Sequence, residues 1–101
     1  MSIYKPVIQY ATPTTGSTVT INAFDGQELL VLLDPAGTLA TLTLNFPSAI
    51  DGQTITVSTG NIITALTITG GTVLGALTTL TANGFGRWGY SITPNKWFRL
   101  N

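Results

Sequence analysis

The amino-acid sequence predicts an all-β fold, an antiparallel β-sandwich of jelly-roll-like topology with an extended N-terminal arm. The chain is rich in residues that suit a pleated sheet, and 19 of its 101 residues are threonine. Apolar and polar residues alternate with a period of two along most of the chain, as they do in half-buried strands. Turn signals recur at intervals of roughly 8–12 residues, which predicts eight to ten short strands.

The segment 1–16 breaks this regular spacing and is predicted to form the arm, with the sandwich domain spanning 17–101. Two prolines and a glycine interrupt the arm and leave one short predicted strand at 7–10. Fully extended, such an arm reaches roughly 50 Å. It could therefore add a strand to a neighbouring subunit. The arm residues expected to contact a partner are Ile3, Tyr4, Val7, Ile8 and Tyr10.

A weak internal repeat predicts the topology of the domain. Residues 18–22 and 41–45 are threonine-rich strands, and each is followed by an Asp-Gly-Gln turn, at 25–27 and 51–53. Two strand–turn–strand units of this kind suit a double Greek key, and hence a jelly roll.

Turn residues elsewhere in the domain predict hairpins. Asp34–Gly37 fits a type I turn, Asn83–Gly84 is a strong hairpin signal, and Pro94–Asn95 is a further tight turn. The run Leu29–Leu33 before the first of these turns is continuously apolar. It predicts a strand covered on both faces, either central in a sheet or at a subunit contact.

The composition argues against most kinds of chemistry. The chain has no histidine and no cysteine, which removes the commonest general base and the thiolate metal ligands. Only 8% of residues are charged and the formal net charge is zero, so no nucleic-acid-binding surface is expected. No run of about 20 apolar residues predicts a membrane span. With 44% apolar residues, so few charges suggest a surface partly covered by partner subunits.

The carboxylates suggest structural roles. Asp25 and Asp51 each lie in an Asp-Gly turn, where a short side chain accepts hydrogen bonds from the backbone. Glu28 lies near Asp25, but the spacing lacks the dense oxygen ligands of a calcium loop. We therefore predict that the protein is not an enzyme and has no catalytic residue, cofactor or metal ion.

An aromatic segment near the C-terminus is the most distinctive feature. Five aromatic residues fall between positions 85 and 98 and are interleaved with cationic residues. They suit core packing, a subunit or capsid contact, or stacking on the sugar rings of a glycan. As contact residues in this segment we expect Trp88, Trp97 and Arg99.

Residues 41–101 resemble a small β-rich module of tailed-phage virion proteins. Residues 45–57 read NFPSAIDGQTITV, and residues 95–100 read NKWFRL. The module occurs in capsid decoration (cement) and head-fibre proteins and at the ends of tail fibres. An aromatic strand closes it, as in this sequence. The resemblance implies a structural role in a virion, usually as a trimer.

Together, the composition and the resemblance predict a capsid decoration protein that binds the outer surface of a phage head and stabilises it. Its expected partners are sister copies in a homotrimer and the major capsid protein. It would be made in the host cytoplasm and located on the virion. The alternative is a receptor- or glycan-binding, or trimerising, module of a tail fibre or adhesin.

Overall fold

A computed structural model describes residues 6–101 and confirms the all-β prediction. Those residues form eight strands in two sheets and no helix. Ile3 and Tyr4 of the predicted arm lie outside the described residues. The strands are β1 (Val7–Ala11), β2 (Thr18–Thr20), β3 (Glu28–Leu33), β4 (Leu39–Asn45), β5 (Thr54–Thr59), β6 (Ile63–Thr69), β7 (Phe85–Ser91) and β8 (Lys96–Arg99).

The strand pairing differs from the antiparallel jelly roll expected from the sequence. Sheet A has the order β1-β3-β5-β7-β8, and sheet B has the order β2-β4-β6. The chain therefore alternates between the sheets up to β6. All pairings among β1 to β6 are parallel, and only β5–β7 and β7–β8 are antiparallel. The prediction of a predominantly antiparallel sandwich was wrong.

Parallel pairing arises because each circuit of the chain stacks on the circuit before it. Leu29 pairs with Val7 of the preceding circuit and with Ile55 of the following one. In sheet B, Leu39 pairs in the same way with Ile63 of the next circuit. Each circuit contributes one strand to each sheet, so the strand in the opposite sheet serves as the crossover that parallel pairing requires. The first six strands thus form a three-turn β-solenoid.

The predicted turns and the internal repeat have different structural roles in this fold from those expected from the sequence. The Asp34–Gly37 turn carries the chain from sheet A to sheet B and closes no hairpin, whereas Pro94–Asn95 does close the β7–β8 hairpin. Asn83–Gly84 precedes β7, with Asn83 at a φ of 62°. Because Glu28 pairs with Thr54, the two Asp-Gly-Gln segments stack in adjacent turns. The repeat therefore marks turns of the solenoid and not two Greek-key units.

The residues predicted to form the arm belong in part to the sheet. β1 is an edge strand of sheet A, paired along its length with β3. The Gln9 side chain also connects β1 to the end of β2 in sheet B and to the segment that follows it. Its Nε2 donates to the Thr20 carbonyl at 2.8 Å, and its Oε1 accepts from the Asn22 amide at 2.9 Å. The first turn of the solenoid is therefore tied to both sheets.

The core lies between the two sheets. Inward-facing residues of β3 alternate with outward-facing ones, so Leu29, Val31 and Leu33 are buried while Leu32 remains exposed. β3 is an interior strand of its sheet, between β1 and β5, but only its inner face is fully covered. An aromatic cluster fills one end of the core: the Phe46 ring packs edge-on against Trp88 at 5.4 Å and Trp97 at 5.3 Å between centroids.

A buried glutamine joins consecutive turns of the solenoid. Gln53 Nε2 donates to the carbonyls of Phe24 and Gly26, at 2.8 and 2.9 Å, and its Oε1 accepts from the Ile50 amide at 2.9 Å. This side chain thus satisfies backbone groups at a corner where no sheet ladder reaches them. Gln27, at the equivalent place in the previous turn, is exposed.

We predict that Gln53→Ala lowers the free energy of unfolding by about 2–4 kcal/mol, because three backbone groups lose their partner in a buried site. Gln27→Ala is the matched control and should change it by less than about 0.5 kcal/mol. Urea denaturation followed by circular dichroism measures both. Equal effects of the two substitutions would contradict this role for Gln53.

Candidate interaction surface

The outer face of sheet A is exceptionally apolar for a surface that meets solvent. We define the apolar face by six large side chains that are between 37% and 61% exposed. The strand alternation places them all on the side of sheet A opposite the core. They are Ile8, Tyr10, Leu32, Phe85, Phe98 and Leu100.

The apolar face has two patches separated by hydroxyl groups. Across β1 and β3, Ile8 pairs with Leu30 and Tyr10 with Leu32, which makes an aliphatic patch capped by one phenol. The other patch spans β7 and β8 and consists of Phe85, Phe98 and Leu100. Between the patches, the central strand β5 presents the half-buried hydroxyls of Thr56 and Ser58.

Leu100 reaches the sheet because a glycine leaves room for it. Gly89 faces outward on β7 opposite Phe98. A Cβ on Gly89 would meet the Leu100 side chain at 3.1 Å. The Leu100 amide also donates to the Arg87 carbonyl at 2.8 Å, which continues the β7–β8 ladder one residue beyond β8. Leu100 therefore lies flat over β7, beside Phe98.

The outer face of sheet B has the opposite character. Parallel register aligns Thr18, Thr43 and Thr67 in one file of outward-facing side chains. A second file consists of Thr20, Asn45 and Thr69. In the part of the chain that the structure describes, no exposed large apolar side chain lies in β2, β4 or β6. Sheet B therefore presents a polar, hydrated surface, which sheet A does not.

Charges on the apolar face are paired or lie at its margins. Arg87 and Glu28 form a partly exposed ion pair at 3.5 Å within the face. At one edge, the Tyr10 hydroxyl donates to Asp34 Oδ2 at 2.7 Å. This hydrogen bond, together with some desolvation and the nearby negative charge, raises the pKa of the Tyr10 hydroxyl above its ordinary value. The raised pKa favours the neutral phenol, which is the form that donates this hydrogen bond.

The described residues that the sequence predicted as partner contacts include both exposed and buried side chains. On β1, Val7, Ile8 and Tyr10 are exposed, and the last two belong to the apolar face. Trp88 and Trp97 instead lie buried in the core, where neither offers a contact surface to a partner. The expectation that they are surface contacts fails because both indoles face inward on their strands, toward Phe46.

Arg99 covers the core edge instead of the apolar face. Its guanidinium lies 5.6 Å from the centroid of the Trp88 ring, and its Nη1 donates to the Gly75 carbonyl at 3.0 Å. This position suits a cation–π contact that shields the end of the core. The buried Trp88 Nε1 has no hydrogen-bond partner among the described residues.

Four residues of the apolar face were not among the predicted contacts: Leu32, Phe85, Phe98 and Leu100. For three of them, the alternation of side chains along β7 and β8 indicates an outward position. If the two tryptophans face the core, then Phe85, Phe98 and Leu100 must face away from it. For Leu32 the signal was the continuous apolar run, which allowed a subunit contact as one of its two interpretations.

Grooves in the described part of the chain border or lie apart from the apolar face. A groove of about 610 Å³ is lined by the stacked Asp-Gly-Gln corners, with Glu28 and Arg87 at its side. Asp51 Oδ1 accepts from the Ile92 amide at 2.9 Å, which fits the structural role predicted for it. Among residues 6–101, no group of three or more carboxylates is placed to hold a metal ion.

The second groove, of about 530 Å³, has a neutral lining that includes Asn45, Ser48, Tyr90 and Asn95. The Tyr90 hydroxyl donates to Asn95 Oδ1, and the Tyr90 ring packs against the buried Trp97 at 5.2 Å. Tyr90 is half-buried, so part of one aromatic ring borders this groove. The lining can offer amide and hydroxyl groups but no formal charge.

Comparisons with known proteins found no match to this chain among family models, curated proteins or solved structures. Within the described residues, no helix is long and apolar enough to cross a membrane. The interaction surface is therefore interpreted from its own geometry.

The burial of both tryptophans can be measured directly, because the chain has only two. We predict that native protein emits at short wavelength and that acrylamide quenches this emission weakly. The urea-unfolded chain is the control and should show red-shifted, strongly quenched emission. Native emission that acrylamide quenches as readily as the unfolded chain would contradict the core position of Trp88 and Trp97.

Proposed function

We propose that this protein is a virion structural protein, a capsid decoration (cement) protein that binds the outside of a tailed-phage head and catalyses no reaction. The observation that supports this function best is the apolar face. Exposed apolar area on the order of 600 Å², here in two patches, is at the upper end of what a monomer exposes and is often an interaction site. The resemblance of residues 41–101 to phage virion modules points to the particle as the place of assembly.

The physical basis of the proposed function is burial of apolar surface. Each Å² of apolar area removed from water contributes roughly 25 cal/mol. A chain with 8% charged residues and zero formal net charge has few groups to desolvate at such a contact. In this proposal the protein acts as a homotrimer, with the major capsid protein as its other partner, and stabilises the shell by adding buried area.

Sheet B supports the same arrangement from the opposite side. Its two files of threonine and asparagine carry hydroxyl and amide groups that water can solvate, so this surface needs no cover. A decoration protein must present one surface to the solution and another to its assembly. The two outer faces of this solenoid differ in the way that such a role requires.

A second candidate function is a receptor- or glycan-binding module of a tail fibre or adhesin. The neutral groove beside Tyr90 favours it, because amides, hydroxyls and a partly open aromatic ring are groups that bind sugars. The burial of Trp88 and Trp97 weighs against it, since the two largest stacking surfaces are inaccessible. We therefore rank it behind the decoration role.

The proposed function predicts that the chain is present in virus particles of the phage that encodes it. We expect mass spectrometry of gradient-purified particles to find it in many copies. Immunogold labelling with antibody to the recombinant protein should decorate the heads. Labelling confined to tail tips, together with glycan-array binding that Tyr90→Ala removes, would instead support the second function. Absence of the chain from purified particles would contradict both virion roles.

A further inference from the structure

We infer that the apolar face of sheet A is covered by a second copy of this chain, so that the protein self-associates through this sheet. The inference names the partner of the surface on which the proposed function rests. It commits to copies of the chain as the cover of this face, so that in the proposed function the capsid protein binds the assembled copies at surfaces outside it. Three properties of the face support this choice: its charge balance, its area and its division into two patches.

The charge balance of the face permits contact between identical surfaces. Identical faces with a net charge repel each other, and this repulsion opposes self-association. Among the described residues, the one cation within the face, Arg87, is paired with Glu28 at 3.5 Å, so the two charges cancel. The formal net charge of the whole chain is also zero. Two copies can therefore approach without net electrostatic repulsion.

Opposite charges at opposite corners of sheet A add complementarity. Asp34 follows β3 at one end of the sheet, beside the β1 edge, where its amide donates to the Ala11 carbonyl. Lys96 begins β8 at the other end, on the far edge. The two residues thus lie at diagonally opposed corners. A corner of one copy can meet the oppositely charged corner of another, which favours a fixed orientation.

The area of the face is close to what a stable interface needs. With about 200 Å² for each large side chain, the exposed fractions of the six residues make an apolar area on the order of 600 Å². Specific interfaces bury about 800 Å² per partner, part of it polar. Leu30, Thr56 and Ser58 lie between the six residues, are partly exposed and add to this area. The face therefore approaches the size of a specific interface between copies.

The two patches also suit a repeated contact between copies. One is mainly aliphatic, on β1 and β3, and the other is mainly aromatic, on β7 and β8. The hydroxyls of Thr56 and Ser58 between them can bond to water or to one another across the interface. Aromatic rings on an aliphatic surface pack well and exclude water. A second copy whose sheet spans the face therefore buries both patches at once.

The test is the mass of the purified protein in solution, measured by sedimentation velocity over a range of concentrations. We expect the wild-type chain to have a mass at least twice 10.6 kDa at micromolar concentration. The double substitution Phe85→Thr and Phe98→Thr should shift the protein to a monomer. Its circular dichroism and buried tryptophan emission should remain native, because both side chains face outward.

The control makes a comparable change, from large apolar side chains to threonine, outside the apolar face. Ile50 and Ile92 lie in loops and are 63% and 62% exposed, so Ile50→Thr and Ile92→Thr together remove similar exposed apolar groups. This control should keep the wild-type mass. A wild-type chain that is monomeric at about 100 µM would overturn the inference. So would an oligomer that survives the double substitution in the face, or one that the control dissociates equally.

The outcomes also separate this inference from the proposed function. A monomer that is nevertheless found on purified heads would reject self-association through this face and retain the decoration role. An oligomer that depends on Phe85 and Phe98, but is absent from particles, would retain the inference and reject the virion role.

Discussion

The parallel stacking of successive turns is the constraint on which the rest of this structure depends. Once β3 pairs with β1 and β5 with β3, residues from successive circuits of the chain must lie side by side on the same face of a sheet. Side chains of the stacked turns are thereby sorted into files: threonine outside sheet B, aliphatic residues inside both sheets, and large apolar residues outside β1 and β3 of sheet A. The surface chemistry of the protein follows from this sorting more than from any single residue.

The ends and corners of the solenoid show how the stack is stabilised where the ladders stop. At the first turn, the Gln9 amide pairs with backbone groups of the second sheet. At a corner, Gln53 bonds to the carbonyls of the preceding turn. At the last turn of sheet A, the antiparallel hairpin β7–β8 covers β5 and brings Trp88 and Trp97 onto Phe46. Polar side chains and one aromatic cluster thus make the hydrogen bonds and packing contacts that a further turn would make at these places.

The sequence allowed the class of fold and the number of strands to be predicted, but not their partners. Alternation in Thr18–Thr20 or Thr54–Thr59 identifies a strand and its buried face, because that pattern is local. Pairing is not local: the turn at Asp34–Gly37 reverses the chain in either a hairpin or a solenoid corner. The spacing of the two Asp-Gly-Gln segments equals the length of one circuit from β3 to β5, but the same repeat also fits a Greek key, which is how it was interpreted.

The candidate surface was predictable only in part, for a related physical reason. Apolar residues on β1 were predicted to be exposed because that segment was interpreted as an arm outside the core. On β7 and β8, alternation places Phe85 opposite Trp88 and Phe98 opposite Trp97, but it does not decide which of these aromatic residues enter the core. Trp88 faces inward because it packs against Phe46, which is distant along the chain. The local sequence gives no sign of such a contact.

Solution NMR of the isotope-labelled protein tests the stacked-turn architecture most directly. The account predicts nuclear Overhauser contacts between backbone protons of Val31 and Val57, and of Thr43 and Thr67, as parallel neighbours in sheets A and B. It predicts none between the backbones of β3 and β4, which lie in different sheets. A ladder of contacts joining β3 to β4 as an antiparallel hairpin would contradict the solenoid, and with it the sorting of side chains that creates the apolar face.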